Sequence, residues 1–95
     1  MFDTITRMEI NSRMAVLVHW WNGRFERALR RDVFVRRDDL GTFVVEWREG
    51  GEGGASTATS HRSAWEAVTA ARAYLVPLAE WSDVTDAHRH AYPPR

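Results

Sequence analysis

Met14-Ala15-Val16-Leu17-Val18-His19-Trp20-Trp21-Asn22-Gly23-Arg24-Phe25-Glu26-Arg27-Ala28-Leu29 opens on a period-two pattern and then breaks it with a turn dipeptide. Val16, Val18 and Trp20 fall on one face of an extended chain, and Leu17, His19 and Trp21 on the other. Asn22-Gly23 then supplies two residues that tolerate φ > 0, as both central positions of a type I′ turn demand. A two-residue turn pairs Trp21 with Arg24, Trp20 with Phe25, Val18 with Arg27 and Val16 with Leu29. On that register the core face carries Val16, Val18, Trp20, Phe25 and Leu29, with Arg27 as the odd member, while Trp21, His19, Arg24 and Glu26 face outward. The competing reading is a helical turn over residues 25–31, since none of them is β-branched.

Residues 32–37 (Asp-Val-Phe-Val-Arg-Arg) form the next strand, continuous with the last or separated from it by a bulge near residues 30–32. Asp38-Asp39-Leu40-Gly41 is turn chemistry, with aspartates that bond their own backbone ahead of a glycine. Residues 42–49 alternate, placing Phe43, Val45 and Trp47 inward and Thr42, Val44, Glu46 and Arg48 outward. Gly50-Gly51-Glu52-Gly53-Gly54 is a loop too glycine-rich to pack, and residues 55–59 suit a short edge strand. Ser63 and Glu66 make a capping box at the start of an alanine-rich segment. Trp65, Val68, Ala71 or Arg72, and Leu75 lie on one stripe of that helix, which Pro77 ends. Leu78, Trp81 and Val84 have the threefold spacing of a further short helix. Near the N-terminus Ile5, Met8 and Ile10 fit a strand or a helical turn.

The expected fold is therefore α+β and a single domain over residues 1–95. It has an N-terminal segment (1–13), an antiparallel sheet of three to four strands (14–60), one main C-terminal helix (61–76) packed on one face of the sheet, and a flexible tail (86–95). Its hairpins lie at Asn22-Gly23 and at Asp38-Gly41.

Composition narrows the function classes. With zero cysteines there is no disulfide framework and no thiolate chemistry, which suits a reducing cytoplasm. No apolar run approaches the roughly 20 residues of a membrane helix. All thirteen basic residues are arginine, the bias expected of a genome of high GC content, as in actinobacteria and their phages, or of selection for planar, bidentate contacts to phosphate or carboxylate. Formal net charge is zero, yet residues 24–37 are basic and residues 38–52 acidic. If the two stretches pair as neighbouring strands, the charges cancel across a solvated sheet face.

No nucleophile elbow, phosphate loop or dinucleotide glycine pattern is present. The expectation is a non-enzyme without catalytic residues, cofactor or metal. His88 and His90, with Asp83 and Asp86, have ligand chemistry at close spacing but read as part of a polar tail. His19 is expected to face water beside Glu26. Five tryptophans are many for 95 residues, and Trp20 and Trp21, being consecutive in a strand, must point to opposite faces. Trp21 then needs a cover: the N-terminal segment, the chain around Trp81, or another molecule. Trp and Arg are enriched at interface hot spots. The interaction candidates are Trp21, Arg24, His19, Arg30, Arg31, Arg36 and Arg37. The favoured function is a protein-interaction module, a homodimer joined through the outer hairpin face or an edge strand; the alternative binds nucleic acid through residues 24–37. For that alternative, the order strand, turn, strand, loop, strand, helix over residues 33–75, with Gly41-Thr42-Phe43-Val44-Val45-Glu46-Trp47 as the second strand, is similar to the three-stranded DNA-binding sheets of phage-integrase arm-binding domains. Those sheets present arginines and aromatics outward, whereas here the outward set includes Val44 and Glu46.

Overall fold

A computed structural model describes residues 15–87. The elements are β1 (Ala15–Trp21), β2 (Arg31–Arg37), β3 (Phe43–Glu49), β4 (Ala55–His61), α1 (Ala64–Arg72), a 3-10 turn (Leu78–Glu80) and β5 (Ser82–Asp83). The first four strands form an antiparallel meander, and β5 returns to pair with β1, so the sheet order is β4-β3-β2-β1-β5. This is the expected α+β architecture with one strand more. The readings made for residues 1–13 and for the tail beyond residue 87, His88 and His90 included, lie outside the described residues.

The first hairpin leaves β1 at Asn22-Gly23, but by a longer connection than a two-residue turn. Trp21 pairs with Asp32 and Trp20 with Val33, not with Arg24 and Phe25. Residues 24–30 form a loop in which Leu29 and Arg30 both donate to the Glu26 carbonyl at 2.9 Å, so the helical turn expected over 25–31 is a single turn closed on Glu26, and Arg31 already belongs to β2. Asn22 ties the neck of the loop. Its N–H donates to Arg31 O (3.1 Å), its Nδ2 donates to Leu29 O (2.9 Å) and its Oδ1 accepts from Arg31 N (3.0 Å). The bulge lies on β1 rather than near residues 30–32: the register shifts between Val16 and Val18. That shift sets Val16 opposite Arg36 and removes it from the face shared by Val18 and Trp20.

The second hairpin is built as its sequence requires. Asp38 Oδ1 accepts from Leu40 N (2.9 Å) and Thr42 N (2.8 Å), and Gly41 takes φ +84. On the helix side of the sheet Val33, Val35 and Val45 pack with Ala67, Ala71 and Leu75, ringed by Val18, Trp20, Phe43, Trp47, Val68 and Trp81. Each fully buried valine contributes about 1.5–3 kcal/mol relative to exposure. The alanines let α1 sit close to the sheet, and the bulk comes from the strands. Trp65 is not on the buried stripe as expected; it is 78% exposed. The helix is also shorter than residues 61–76. It closes at Arg72 through bonds from Tyr74 to Ala71 O and Leu75 to Arg72 O, the tightening common at helix ends. The spacing of Leu78, Trp81 and Val84 yields only the 3-10 turn before the chain extends into β5.

Candidate functional site

The sheet's far face, opposite α1, carries most of the charged candidates. Strand pleating places His19 and Trp21 of β1 beside Phe34 and Asp32 of β2, and then beside Glu46 and Arg48 of β3. This face is not solvated, as the alternation of β3 suggested. His19, Asp32, Phe34, Arg36, Val44, Glu46 and Ala58 are all buried, with Asp32 and Glu46 each 1% exposed. Buried charges need partners, and these have them. Asp32 Oδ2 accepts from His19 Nε2 at 2.7 Å, and the Arg30 guanidinium forks onto both carboxylate oxygens at 2.9 and 3.1 Å. Glu46 Oε1 accepts from Arg36 Nε (3.0 Å), while Oε2 accepts from Arg48 Nε and Nη2 (3.2 and 3.1 Å). Phe34 joins the two groups. Its ring stacks on the His19 imidazole at 4.0 Å, and the Arg36 and Arg48 guanidinium carbons lie 4.4 and 4.6 Å from its centroid.

Burial pushes the Asp32 carboxyl up and is the largest single influence. The hydrogen bonds from His19 and Arg30, with the Arg30 charge, outweigh it together and hold the group below the usual carboxylate range. The same bond to Asp32 raises Arg30, against the opposing effect of burial. An ionised carboxylate only accepts, so His19 Nε2 carries the proton in this pair. A histidine–carboxylate pair can serve as a general base when the imidazole reaches a substrate. Here the ring is stacked and buried, so the pair fixes the imidazole in place. His19 therefore does not sit beside Glu26 in water. The opposite charges of β2 and β3 do pair, but inside the protein.

The remaining candidates lie apart from this network or at its edge. Trp21 is half-buried and covered by its own loop: its Nε1 donates to Arg24 O (3.2 Å), Phe25 meets its ring edge-on at 5.0 Å, and Arg30 lies 5.3 Å over it. Of the covers expected within the chain, the N-terminal segment lies outside the described residues, and Trp81 lies elsewhere, on the helix face against Trp47 at 6.2 Å. Arg31 donates to the Ala28 and Arg30 carbonyls and stands 3.9 Å from Glu49. Arg24, Arg27 and Arg37 are exposed. Arg37 ends β2 at the far end from the loop, about 20 Å away along a strand of this length, so the arginines of residues 24–37 do not form one stripe. The layout shared with the phage-integrase arm-binding sheets stops at element order: the sheet has five strands, and its outward charges are buried. At the loop end Phe25 is 81% exposed, and Arg27 Nη2 reaches across to Glu52 O (3.2 Å), bracing residues 24–30 against the 50–54 loop.

The sheet's two edges differ. β5 is two residues long, ends in Asp83 and pairs only with Trp20 and Trp21. The part of β1 that it leaves at the edge carries the bulge between Val16 and Val18, so this edge is blunted by charge and by the bulge. β4 runs seven residues, Ala-Ser-Thr-Ala-Thr-Ser-His, without proline, arginine or acid. Its register with β3 is continuous from Phe43–His61 to Glu49–Ala55. Gly50 N donates to Arg30 O and Asp38 N to Thr42 O, so the even-numbered residues of β3 bond to β2 and the odd-numbered ones to β4. The backbone groups of Ser56, Ala58 and Ser60 therefore point away from the sheet. The sequence located this strand but ended it at residue 59. Asp32, Phe34, Glu46 and Arg48 were missed as a unit, although the tight Asp38-Gly41 turn fixes the β2–β3 register that brings them together. No helix among the described residues is long and apolar enough to cross a membrane, and among them no cluster of His, Asp or Glu is arranged to hold a metal ion. Comparison with protein-family models, with curated proteins and with solved structures finds no match.

Proposed function

We propose that the chain is a small, non-enzymatic protein-interaction module that self-associates along the β4 edge. The observation that carries this reading is the contrast between the two edges. One is covered at one end by the short, charged β5 and broken beyond it by the bulge between Val16 and Val18; the other is an uninterrupted neutral strand with none of the devices that keep edges apart. The outer hairpin face is the weaker contact, because its side chains are already buried within one chain. The non-enzymatic half is supported by Asp32 and Glu46, whose charges are engaged by His19, Arg30, Arg36 and Arg48. A cytoplasmic location belongs to the same proposal and rests on the lack of cysteine.

A single strand seam is a small contact, so the dimer is weak and depends on concentration. Light scattering from about 10 μM to about 1 mM, a range spanning roughly 3 kcal/mol of binding free energy, should show the average mass rising toward two chains. Ser56→Pro removes an outward N–H while leaving the ladder to β3 intact, and should stay monomeric with an unchanged circular dichroism spectrum. A monomeric mass for the unmodified chain throughout that range overturns the reading. Retention of a DNA duplex at low salt, lost steeply as salt rises, would favour the nucleic-acid alternative instead.

A further inference from the structure

We infer that two copies join antiparallel through β4 about a two-fold axis perpendicular to the sheet, with Ala58 facing its own counterpart. This rests on the reading that the chain self-associates along that strand, and it fixes the register and the form of the assembly.

Hydrogen bonding selects the register. Outward groups must meet outward groups, so Ser56, Ala58 and Ser60 of one copy must oppose the same set in the other. Centring the pair on Ala58 sets 56 against 60, 58 against 58 and 60 against 56, and every outward N–H and C=O of β4 finds a partner. A shift of the axis to residue 57 or 59 carries one pair out of the strand, onto Gly54 or Arg62, and loses its bonds. The side chains agree. Residues opposite one another in β3 and β4 share a face, so Thr57 and Thr59 lie on the helix side with Val45 and Trp47. In the centred register Thr57 meets Thr59 of the second copy, a favourable cross-strand pair. On the far side Ser56 meets Ser60 and Ala58 meets Ala58, all small and neutral. A strand carrying charge would meet its own charge under this symmetry; β4 has none apart from His61, which falls opposite Ala55.

Space permits the arrangement. A two-fold axis perpendicular to the sheet puts both helices on the same side, and α1 lies chiefly over β3. The two β3 strands are three strand spacings apart, about 14 Å, whereas helices pack at about 8–10 Å. The helices clear each other, and the product is one continuous sheet flanked at both ends by the edges that β5 and the bulged start of β1 form. Closed isologous pairing of this kind uses up the one uninterrupted strand edge among the described strands, β1 being bulged between Val16 and Val18, and stops at two copies.

The chain has zero cysteines, so introduced thiols report the register directly. Opposed residues of a hydrogen-bonded antiparallel pair have Cα atoms about 5.5 Å apart, inside the roughly 4.4–6.8 Å range of disulfides. Ala58→Cys should give a covalent dimer on mild oxidation. Ser56→Cys alone and Ser60→Cys alone should not, because residue 56 lies about 13 Å along the strand from its own counterpart. A mixture of those two variants should cross-link, which tests the register even if the buried 58 position does not accept a thiol. A dimer by light scattering that cross-links through Ser56→Cys alone or Ser60→Cys alone, or in which the mixture fails to cross-link, overturns this register and leaves self-association standing. A monomer at all concentrations overturns both.

Discussion

Asn22 was read as one half of a turn and acts as a clamp instead. Three bonds from one residue span the neck of the 24–30 loop. Asn22→Ala should lower stability by about 1 kcal/mol, the net worth of side-chain hydrogen bonds at a half-exposed position, measured as a lower urea midpoint with unchanged slope. Asn22→Asp keeps the acceptor and should recover part of the loss. Asp32 works at the same scale with a pH signature. Its folded carboxyl titrates below its ordinary value of 3.8, so the stability it contributes is fully present above 3.8 and is lost as pH falls through the lower folded value. Asp83, held low by the Thr85 hydroxyl and amide, titrates in the same direction. In Asp32→Asn the fall of stability between neutrality and pH 3 should be shallower than in the unmodified chain, because the remaining slope comes from other acids. An equal slope in the two proteins would show that Asp32 gains nothing from His19 and Arg30.

Elements whose shape is set by local chemistry were legible, and those set by distant partners were not. Alternation in β3 identified the face of Phe43, Val45 and Trp47 that meets the helix, and Ser63 located the start of α1, where its Oγ accepts from Glu66 N at 3.1 Å. β5 could not be read. Two residues carry no period, and the element exists because β1 offers a partner for it, as in the 2.8 Å bond from Val84 N to His19 O. The Asn22-Gly23 signal misled because it is local evidence for a turn, whereas Phe25 to Arg31 lack the β-branched residues that would extend a strand beyond it. The far face misled because charged residues in an alternating strand normally point to water; here each acid finds an arginine on the neighbouring strand or beside it. The β3–β4 connection offers a test at this scale. A Cβ on Gly54 would stand 1.9 Å from Glu49 O, a backbone atom that cannot swing aside. Gly54→Ala should cost more than about 2 kcal/mol, as overpacking into fixed atoms does. Melting temperature reads the loss, and Gly53→Ala, strained by φ +85 but meeting only Arg27 Nη2 at 3.9 Å, should lose less.

At the scale of the whole molecule, a single sheet carries two unlike buried faces, one closed by valine, tryptophan and the alanines of α1, the other by an Arg36–Glu46–Arg48 triad around Phe34. For a domain of this size total stability is about 5–15 kcal/mol, so the second face cannot be a minor term. Removing one member of a buried ion group leaves the others uncompensated and costs about 3–5 kcal/mol. Glu46→Leu should therefore bring the chain close to unfolding at 37 °C, seen as a melting transition shifted down by about 10 °C or more. The charges themselves need not be the source of stability, because desolvating three ions offsets much of their attraction. Replacing all three together, as Arg36→Met, Glu46→Leu and Arg48→Met, should restore most of what the single change removes. If the triple variant is as unstable as Glu46→Leu alone, the ions stabilise this face beyond what apolar packing can replace. If it recovers, the triad serves to fix the β2–β3 register, since a slip by one residue would set Glu46 among the valines of the helix side.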